Sequence, residues 1–343
     1  MSTPPFRVRQ ATPTDNAALL ALDRRCVVAA ATPVAFDRSP DFFARSRPYE
    51  SWRAFVAEGD AGLIGVGAMA LKRVLVGGAP IPAAYFYDLR VAPEVRRMGV
   101  AGEVGDALRA YTQSLQPAIG YALVMEGNIP SLTFVQGRGS RPLRSCALDL
   151  FRVDLVPGED PARLRRLGDA DLVSAHRMTH ATHRDHDLFP FPDVASLADR
   201  LSRLGGLGWD GLYGWESRGS PSGCFGLWDY SPVMRMRVLA PEGEWSWVAG
   251  RDLRLVFLMP VSFHGQEGMG EALRLAAARM RLHPSSGATC VLAIPHDLED
   301  GLYAGLAQYQ PIQLRFSLFG LDLGGAGTGF LGNRVVFMDP ADL

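Results

Sequence analysis

One stretch of the chain, residues 85–102, changes from a strand pattern to a helix pattern across a loop that contains arginines and glycines. Residues 85–91 are rich in aromatic and β-branched side chains and end just before Pro93, which predicts a buried strand. From Gly99 onward, apolar residues recur at helical spacing. Gly99 and Gly102 permit a tight turn that aims main-chain N–H groups and the positive end of the helix at an anion. The sequence therefore predicts a strand, loop and helix that bind a diphosphate.

The composition indicates a globular protein of more than one domain. The 343 residues exceed what one hydrophobic core usually supports. Apolar residues make up 48% of the chain. The formal net charge is −1, whereas nucleic-acid-binding proteins usually carry an excess of basic residues. There is no apolar run of membrane-spanning length and no basic-then-apolar leader. We expect a cytoplasmic protein with no nucleic-acid and no membrane partner; monomer and homo-oligomer stay open.

Neither the cysteines nor a glycine-rich stretch points to a cofactor. The four cysteines lie far apart with no Cys-x-x-Cys pair, which favours buried reduced thiols over a zinc or disulfide framework: Cys26, Cys146, Cys224 and Cys290. The glycines at 206, 208 and 211 match a dinucleotide fingerprint in letters, but they follow a predicted helix over 195–204 rather than a strand. We therefore predict no dinucleotide site there.

Four histidines in the second half are spaced so that a helix would place them on roughly one face: His176, His180, His183 and His186. Such a face suits either a metal or a solvated or cleft-lining surface. Structural zinc usually recruits cysteine, and catalytic zinc usually shows a tighter motif. We therefore interpret the histidines as a polar face and predict no metal.

The order of predicted elements indicates an α+β protein. In the first half, strands and helices follow as β-α-α-β-β-β-α-β-α-β: a strand at 6–10, a helix to 26, a helical part of 32–50, a hairpin over 52–71, the strand from 85, the helix from 99, a strand at 121–125, a helix from 130 and a strand at 146–153. We predict a complete domain over residues 1–153.

After a linker near 156–161, the same order returns more faintly. The predicted elements are strands at 223–229, 234–238 and 253–259, a loop at 264–270 that opens a helix, a strand at 290–294, a helix at 301–308 and a strand at 314–319. We predict a second, internally repeated domain over residues 160–343.

The loop residues carry a resemblance to a known family. Residues 96–101 match the Arg/Gln-x-x-Gly-x-Gly/Ala signature of the GCN5-related N-acetyltransferases (GNAT), and they stand between a strand and a helix, as that signature requires. The strand exit at 89–96 and Asn128, after the apolar run 121–125, resemble the same family. Without the resemblance, the glycines would mark an ordinary turn between a strand and a helix.

The resemblance implies two tandem GNAT-like domains, each a mixed, mostly antiparallel sheet flanked by helices. It also implies acetyl-CoA as co-substrate and no metal. The main chain of Leu89, Arg90 and Val91 would hold the pantetheine arm and donate an N–H to the developing oxyanion. The other cofactor-binding residues would be Arg96, Arg97, Met98, Gly99, Val100, Ala101, Gly102 and Asn128. In the second copy, Gly265 stands where Arg or Gln is expected and Glu267 would repel a diphosphate, so that copy is expected to be degenerate.

The residues that move protons are less well marked. Many family members carry a tyrosine seven positions after the asparagine as general acid, and that position is Val135 here. Asp88 is the candidate general base, because a carboxylate in an apolar strand has a raised pKa unless it is paired. Tyr85 and Tyr87 lie on the same strand, where an aromatic residue serves catalysis or core packing; we take Tyr87 as a catalytic candidate. A water molecule is the remaining route for the proton.

The predicted activity is transfer of an acetyl group from acetyl-CoA to the amine of a small molecule by direct attack. The alternative is a non-catalytic tandem-GNAT scaffold or a sensor of acyl-CoA or another ligand. The two-copy layout resembles the mycothiol synthases and the Eis-type acetyltransferases, although the chain is too short for the third domain of the latter. The sequence does not identify the acceptor amine.

Overall fold

The computed structural model describes residues 6–28, 32–217, 219–265, 268–283, 289–321, 323 and 334–343. Over these residues the strands are β1 (Phe6–Gln10), β2 (Val34–Asp37), β3 (Ser51–Gly59), β4 (Gly62–Val76), β5 (Ala79–Val91), β6 (Ile119–Met125), β7 (Arg141–Arg152), β8 (Leu164–Arg166), β9 (Trp209–Ser217), β10 (Ser220–Asp229), β11 (Arg235–Val238), β12 (Arg254–Phe263), β13 (Cys290–Asp297) and β14 (Ile312–Leu321). The α-helices are α1 (Asn16–Arg25), α2 (Val100–Leu115), α3 (Ile129–Gly137), α4 (Leu172–His183), α5 (Val194–Arg203) and α6 (Gly268–Arg281).

A single twelve-stranded sheet runs through both halves of the chain. Its order is β1-β3-β4-β5-β6-β14-β7-β13-β12-β10-β9-β8, and β2 pairs with β11 in a separate two-stranded ribbon. Among the strand pairs of the described residues, all are antiparallel except β5 with β6 and β12 with β13. One parallel pair in each half confirms the predicted α+β repeat of mixed, mostly antiparallel units.

The two halves exchange strands at the centre of this sheet. The strand β14, from the end of the chain, lies between β6 and β7, which belong to the first half. The strand β7 then pairs with β13 of the second half on its other edge. Each half therefore completes the sheet of the other. The division of the chain near residues 153 and 160 stays a prediction, because the sheet continues across it.

The pairing of β11 differs from the expectation. Residues 234–238 were predicted as a strand of the second domain, but β11 pairs with β2 of the first half in register Met236 to Phe36. A short strand with polar and apolar residues in alternation fits either partner, so its pattern alone does not select one. The strands β8 and β9 were not predicted; β9 begins at Trp209, within the glycine-rich stretch 206–211.

Two glycines of β4 set the position of α2, the helix that follows the arginine-glycine loop. A Cβ atom at Gly65 would lie 2.6 Å from Val100, and one at Gly67 would lie 2.9 Å from Leu108 and 3.0 Å from Val104. These three helix residues are buried against the sheet. The glycines thus let α2 approach β4 closely, and this contact fixes the start of the helix beside the end of β5.

Among the described residues, no helix combines the length and the hydropathy needed to cross a bilayer.

Candidate active site

The strands β5 and β6 separate after a short parallel contact. They pair only from Ala83–Phe86 to residues 119–122. Immediately beyond, Asp88 and Leu89 on β5 face the single residue Gly67 on β4, and Asp88 has a positive φ of 57°. This β-bulge bends β5 away from β6, and in the described part of the chain residues 87–90 have no strand partner on that side. The Val91 carbonyl accepts hydrogen bonds from Cys26 Sγ and Arg96 Nε, each at 3.5 Å. A wedge-shaped opening results, with free N–H and C=O groups along one wall.

A cavity of about 220 Å³ fills this opening. On the α2 and α3 side its wall includes the apolar residues Leu108, Phe134 and Val135, which define the apolar chamber, together with Arg109, Ser131 and Arg138. The other side is polar, with charged groups and phenols: Arg45, Tyr85, Tyr87, Asp88, Arg90 and Asp342. The cavity therefore joins an apolar chamber under the helices to a charged chamber on the opposite face of the sheet.

A second cavity, of about 780 Å³, lies against the arginine-glycine loop. Its lining includes all but one of the predicted cofactor-binding residues: Leu89, Arg90, Val91, Arg96, Arg97, Gly99, Val100, Ala101, Gly102 and Asn128. Met98 does not line it and its side chain is 55% exposed. Leu89, Arg90 and Asn128 line both cavities, so the two spaces are adjacent.

The loop presents the start of α2 to this second cavity. Gly99 precedes the helix with φ of 86°, and a Cβ added there would meet no atom within 4 Å. The open space and the free N–H groups at the helix start are suited to an anion. Asn128 also caps α3, because its Oδ1 accepts a hydrogen bond from the N–H of Ser131 at 3.4 Å.

Asp88 is held in a buried ion-pair network, which corrects the expectation of a raised pKa. The guanidinium of Arg38 donates to the two oxygens of Asp88 at 2.6 and 2.7 Å, and Arg45 donates to one of them. Burial raises the pKa of Asp88, but the charges of Arg38 and Arg45 outweigh burial and hold the pKa well below its usual range. A carboxylate stabilised in this way is a poor proton acceptor at neutral pH.

We expect Asp88→Asn to destabilise the protein rather than to change the pH dependence of its activity. Removing one partner of a buried ion pair leaves the arginines uncompensated, which costs about 3–5 kcal/mol in the free energy of unfolding. Denaturant unfolding at neutral pH measures this loss. Because the folded-state pKa of Asp88 is lowered, its contribution is complete above the unfolded value of about 3.9 and disappears as the pH falls below it.

Asp199→Asn is the matched control, because Asp199 pairs with Arg203 on an exposed helix face. It should change the unfolding free energy by less than about 1 kcal/mol. If Asp88→Asn were equally mild and shifted the pH profile of acyl transfer instead, Asp88 would be a base and the structural role assigned here would be wrong.

The tyrosines of β5 are packed and hydrogen-bonded. Tyr87 donates its hydroxyl proton to Ser46 Oγ at 2.8 Å and stacks on Tyr85 with ring centroids 5.2 Å apart. Tyr85 donates to the main-chain oxygen of Asp342. Val135, at the position of the usual general acid, is buried beside Val124 and Phe319. The apolar chamber thus presents no phenol at that position.

Sequence reasoning missed the contribution of residues 339–342 to this site. Lys72 donates to Asp339 at 2.8 Å and to Asp342 at 2.7 and 2.9 Å, deep in the first half. Tyr121 and Tyr49 also donate to Asp342. Burial raises the pKa of Asp342, a shift that Lys72 opposes and Asp339 reinforces. No motif marks these residues, since the contacts join positions more than 200 residues apart.

In the second half, side chains occupy the corresponding opening between β12 and β13. These strands also part after a short parallel contact, which ends at Phe257 and Ala293. His183 contacts the Val261 carbonyl at 2.6 Å, and His186 contacts Asp300 at 2.6 Å. Phe337 packs edge-on against His183. The groove that is open in the first half is thus filled in the second.

The histidines of α4 therefore do not form one solvated face. His183 and His186 are buried, and burial lowers the pKa of His183 to about 3. His176 instead contacts the Phe191 carbonyl at 3.0 Å. The helix ends at His183, so His186 leaves the predicted face. Glu267, predicted to repel a diphosphate in the second copy, lies outside the described residues.

No protein-family profile matches the sequence, and no curated protein matches it. Solved structures do match its fold. Saccharomyces cerevisiae N-myristoyltransferase with bound myristoyl-CoA aligns over 99% of this chain and 90% of its own, with a TM-score of 0.64 and 11% identity. A tandem GNAT protein from the clavulanic acid biosynthesis pathway aligns over 94% of this chain and 100% of its own, with a TM-score of 0.61 and 13% identity.

A GCN5-related N-acetyltransferase from Sphaerobacter thermophilus aligns over 94% of this chain and 97% of its own, with a TM-score of 0.59 and 16% identity. At these identities the similarity concerns the fold. It extends over nearly the whole length of each of these proteins, so it includes the second half and the exchanged strands. The chain therefore has a tandem GNAT fold, with an open strand wedge in the first half and a filled one in the second.

Proposed function

We propose that the protein is an acyl-CoA-dependent N-acyltransferase that moves an acetyl group to the amine of a small molecule. The observation that carries this proposal is the open wedge between β5 and β6, adjacent to the cavity at the arginine-glycine loop. The loop and the start of α2 would hold the diphosphate of CoA. The pantetheine arm would then reach the wedge along the main chain of residues 89–91.

In this arrangement the thioester lies at the wedge, with the acceptor amine approaching from the charged side. Holding the two reactants together supplies much of the rate enhancement. A free N–H of β5 would stabilise the developing oxyanion. Leu89, Arg90 and Val91 are our candidates for these main-chain contacts, and Arg96 and Arg97 for charge beside the phosphates.

The proton of the amine needs another acceptor than Asp88. Asp342 lines the same cavity and has a raised pKa, so we propose it, or a water molecule beside it, for this role. The Tyr85 hydroxyl donates to the main-chain oxygen of Asp342, and the Tyr87 hydroxyl donates to Ser46. We therefore propose Tyr87 only as part of the wall of the charged chamber. The leaving thiolate of CoA requires little help from an acid, because the pKa of a free thiol is about 8.5.

A second candidate function is binding without catalysis, as a scaffold or an acyl-CoA sensor. Two observations favour it. Val135 occupies the position at which many GNAT proteins carry a tyrosine as general acid. The charge of Asp88 is compensated by Arg38 and Arg45, so this carboxylate is a poor base. A thiol-release assay with acetyl-CoA over a panel of small amines separates the two functions. An enzyme releases CoA only when an acceptor amine is present, whereas a sensor binds acetyl-CoA and leaves it intact.

We expect one molecule of CoA to bind per chain. The first half has an open wedge, whereas His183, His186 and Phe337 fill the equivalent space in the second half. Calorimetric titration with CoA should therefore give a stoichiometry near one. A stoichiometry of two would contradict the assignment of the second half as degenerate.

A further inference from the structure

A buried cluster of charged side chains beside the first cavity contains more positive than negative groups. Arg45, Asp88 and Arg90 line the cavity. Arg38 and Asp23 form ion pairs with them, so three guanidinium groups face two carboxylates. All five side chains are at least nine-tenths buried. Within the part of the chain that the structure describes, no other carboxylate side chain forms an ion pair with these arginines. The cluster therefore buries one positive charge in excess.

The neighbouring network does not supply the missing charge. Lys72 and Arg200 pair there with Asp339 and Asp342, two cations with two carboxylates. An uncompensated buried charge is costly unless another group pairs with it. An anionic group of a ligand would therefore stabilise this cluster by compensating its excess positive charge.

Arg90 is the arginine whose charge remains available. Both terminal nitrogens of Arg38 donate to Asp88, and Arg45 is used by Asp88, Tyr85 and the Asp342 main chain. Arg90 instead has a single carboxylate contact, from Nε to Asp23 at 2.5 Å. Its guanidinium lies 5.9 Å from the ring centroid of Phe36 and lines both cavities. In the described residues its two terminal nitrogens have no hydrogen-bond partner.

We infer that the acceptor of the proposed acyltransferase carries a carboxylate next to its amine, as an amino acid does, and that Arg90 binds this carboxylate. The inference rests on the proposed function. One edge of the Arg90 guanidinium faces Asp23, and the other is a planar pair of donors that matches a carboxylate in two-point contact. Arg90 is on the strand that bends at Asp88, so a carboxylate held there places the neighbouring amine near the wedge.

Burial supports this reading. Burial lowers the pKa of Arg90, and the charge of Asp23 offsets this only in part. A second carboxylate, brought by the substrate, would supply the remaining stabilisation. Phe36 on β2, held by β11 of the second half, covers the guanidinium and limits water around the contact.

The test compares acceptors that differ only in the carboxylate. Acetyl-CoA and the full chain are assayed with a panel of L-amino acids, each paired with its carboxamide. The amide has the more acidic ammonium group and hence more free amine, so basicity alone favours the amide. We expect kcat/KM for the acids to exceed that for the amides by about tenfold or more, as for a hydrogen-bonded charge.

Arg90→Met removes the charge and keeps the length of the side chain. It should raise KM for the acids and bring the acid-to-amide ratio near one. The Kd of CoA is measured in parallel, because the main chain of Arg90 is a candidate CoA contact. Arg90→Lys should retain part of the preference. Arg73→Met is the control, because Arg73 is 61% exposed and pairs with Asp193 outside both cavities.

A wild-type ratio near one, or a ratio that Arg90→Met leaves unchanged, overturns the inference. A weaker Kd for CoA with an unchanged ratio would place Arg90 on a phosphate of CoA instead. If no amine is acylated, the proposed function fails, and calorimetry on the CoA-saturated chain then decides the carboxylate site. Binding of an amino acid but not of its carboxamide would support the carboxylate site at Arg90. Binding of neither compound would overturn the inference.

Discussion

A fragment that ends at residue 153 is expected not to fold, although the sequence predicts a complete domain there. The strand β7 pairs with β13 on one edge and with β14 on the other, and the fragment lacks both. Its buried residues, including Leu148, Leu150 and Phe151, would face water. Lys72 would also lose Asp339 and Asp342. We expect loss of essentially the whole unfolding free energy, about 5–15 kcal/mol for a typical protein.

Denaturant unfolding followed by circular dichroism measures this effect, and the fragment should show no cooperative transition. The matched control is co-expression of residues 1–157 with residues 158–343, which divides the chain at the exposed Pro157 and Gly158 and restores every strand. This pair should assemble and unfold cooperatively. A fragment 1–153 that unfolds cooperatively by itself and binds CoA would show that the strand exchange is dispensable.

The second large effect concerns the arginine-glycine loop. Gly99→Glu should weaken CoA binding by roughly a hundredfold to a thousandfold. A carboxylate about 4 Å from a phosphate costs about 4 kcal/mol near a protein surface, and each 1.4 kcal/mol is a factor of ten. The positive φ of Gly99 adds strain for any other residue. Calorimetric titration with CoA gives the change directly.

Gly78→Glu controls for the charge and the strain together. Gly78 has φ of 81° and open space around its Cβ position, but it lies in the turn at the far end of β5. The thirteen residues of β5 separate its two ends by roughly 40 Å. We expect Gly78→Glu to bind CoA as the wild type does. Equal CoA affinities for the wild type, Gly78→Glu and Gly99→Glu would show that the arginine-glycine loop does not bind CoA.

The local elements of the fold could be predicted because their signals are local. The strand, loop and helix over 85–115 follow from a change of hydrophobic period and from glycines at a turn. The repeat was predicted from the signals of β10, β12, α6, β13 and β14, whereas β8 and β9 of the second half were missed. The arginine-glycine loop lies beside a cavity, and the cofactor-binding roles of its residues stay predictions.

The strand exchange and the charged chamber could not be predicted in this way. Nothing in the residues 312–321 indicates that their neighbours are β6 and β7 rather than a strand of their own half. The position of Asp88 in an apolar strand wrongly indicated a raised pKa. Its partners Arg38 and Arg45 lie more than 40 residues earlier, in a segment without regular hydrophobic periodicity. Pairing decides whether burial raises or lowers the pKa of a carboxylate, and pairing is a tertiary property.

The central claim is that the first half transfers an acyl group from CoA to an amine. The most direct measurement follows the wild-type chain with acetyl-CoA and an amine panel, and quantifies released CoA thiol and N-acetylated product by mass spectrometry in the same reaction. We predict equal amounts of thiol and product, and neither with Gly99→Glu at the same acetyl-CoA concentration. CoA binding without any acylated product, or product formation that Gly99→Glu leaves intact, would contradict the account.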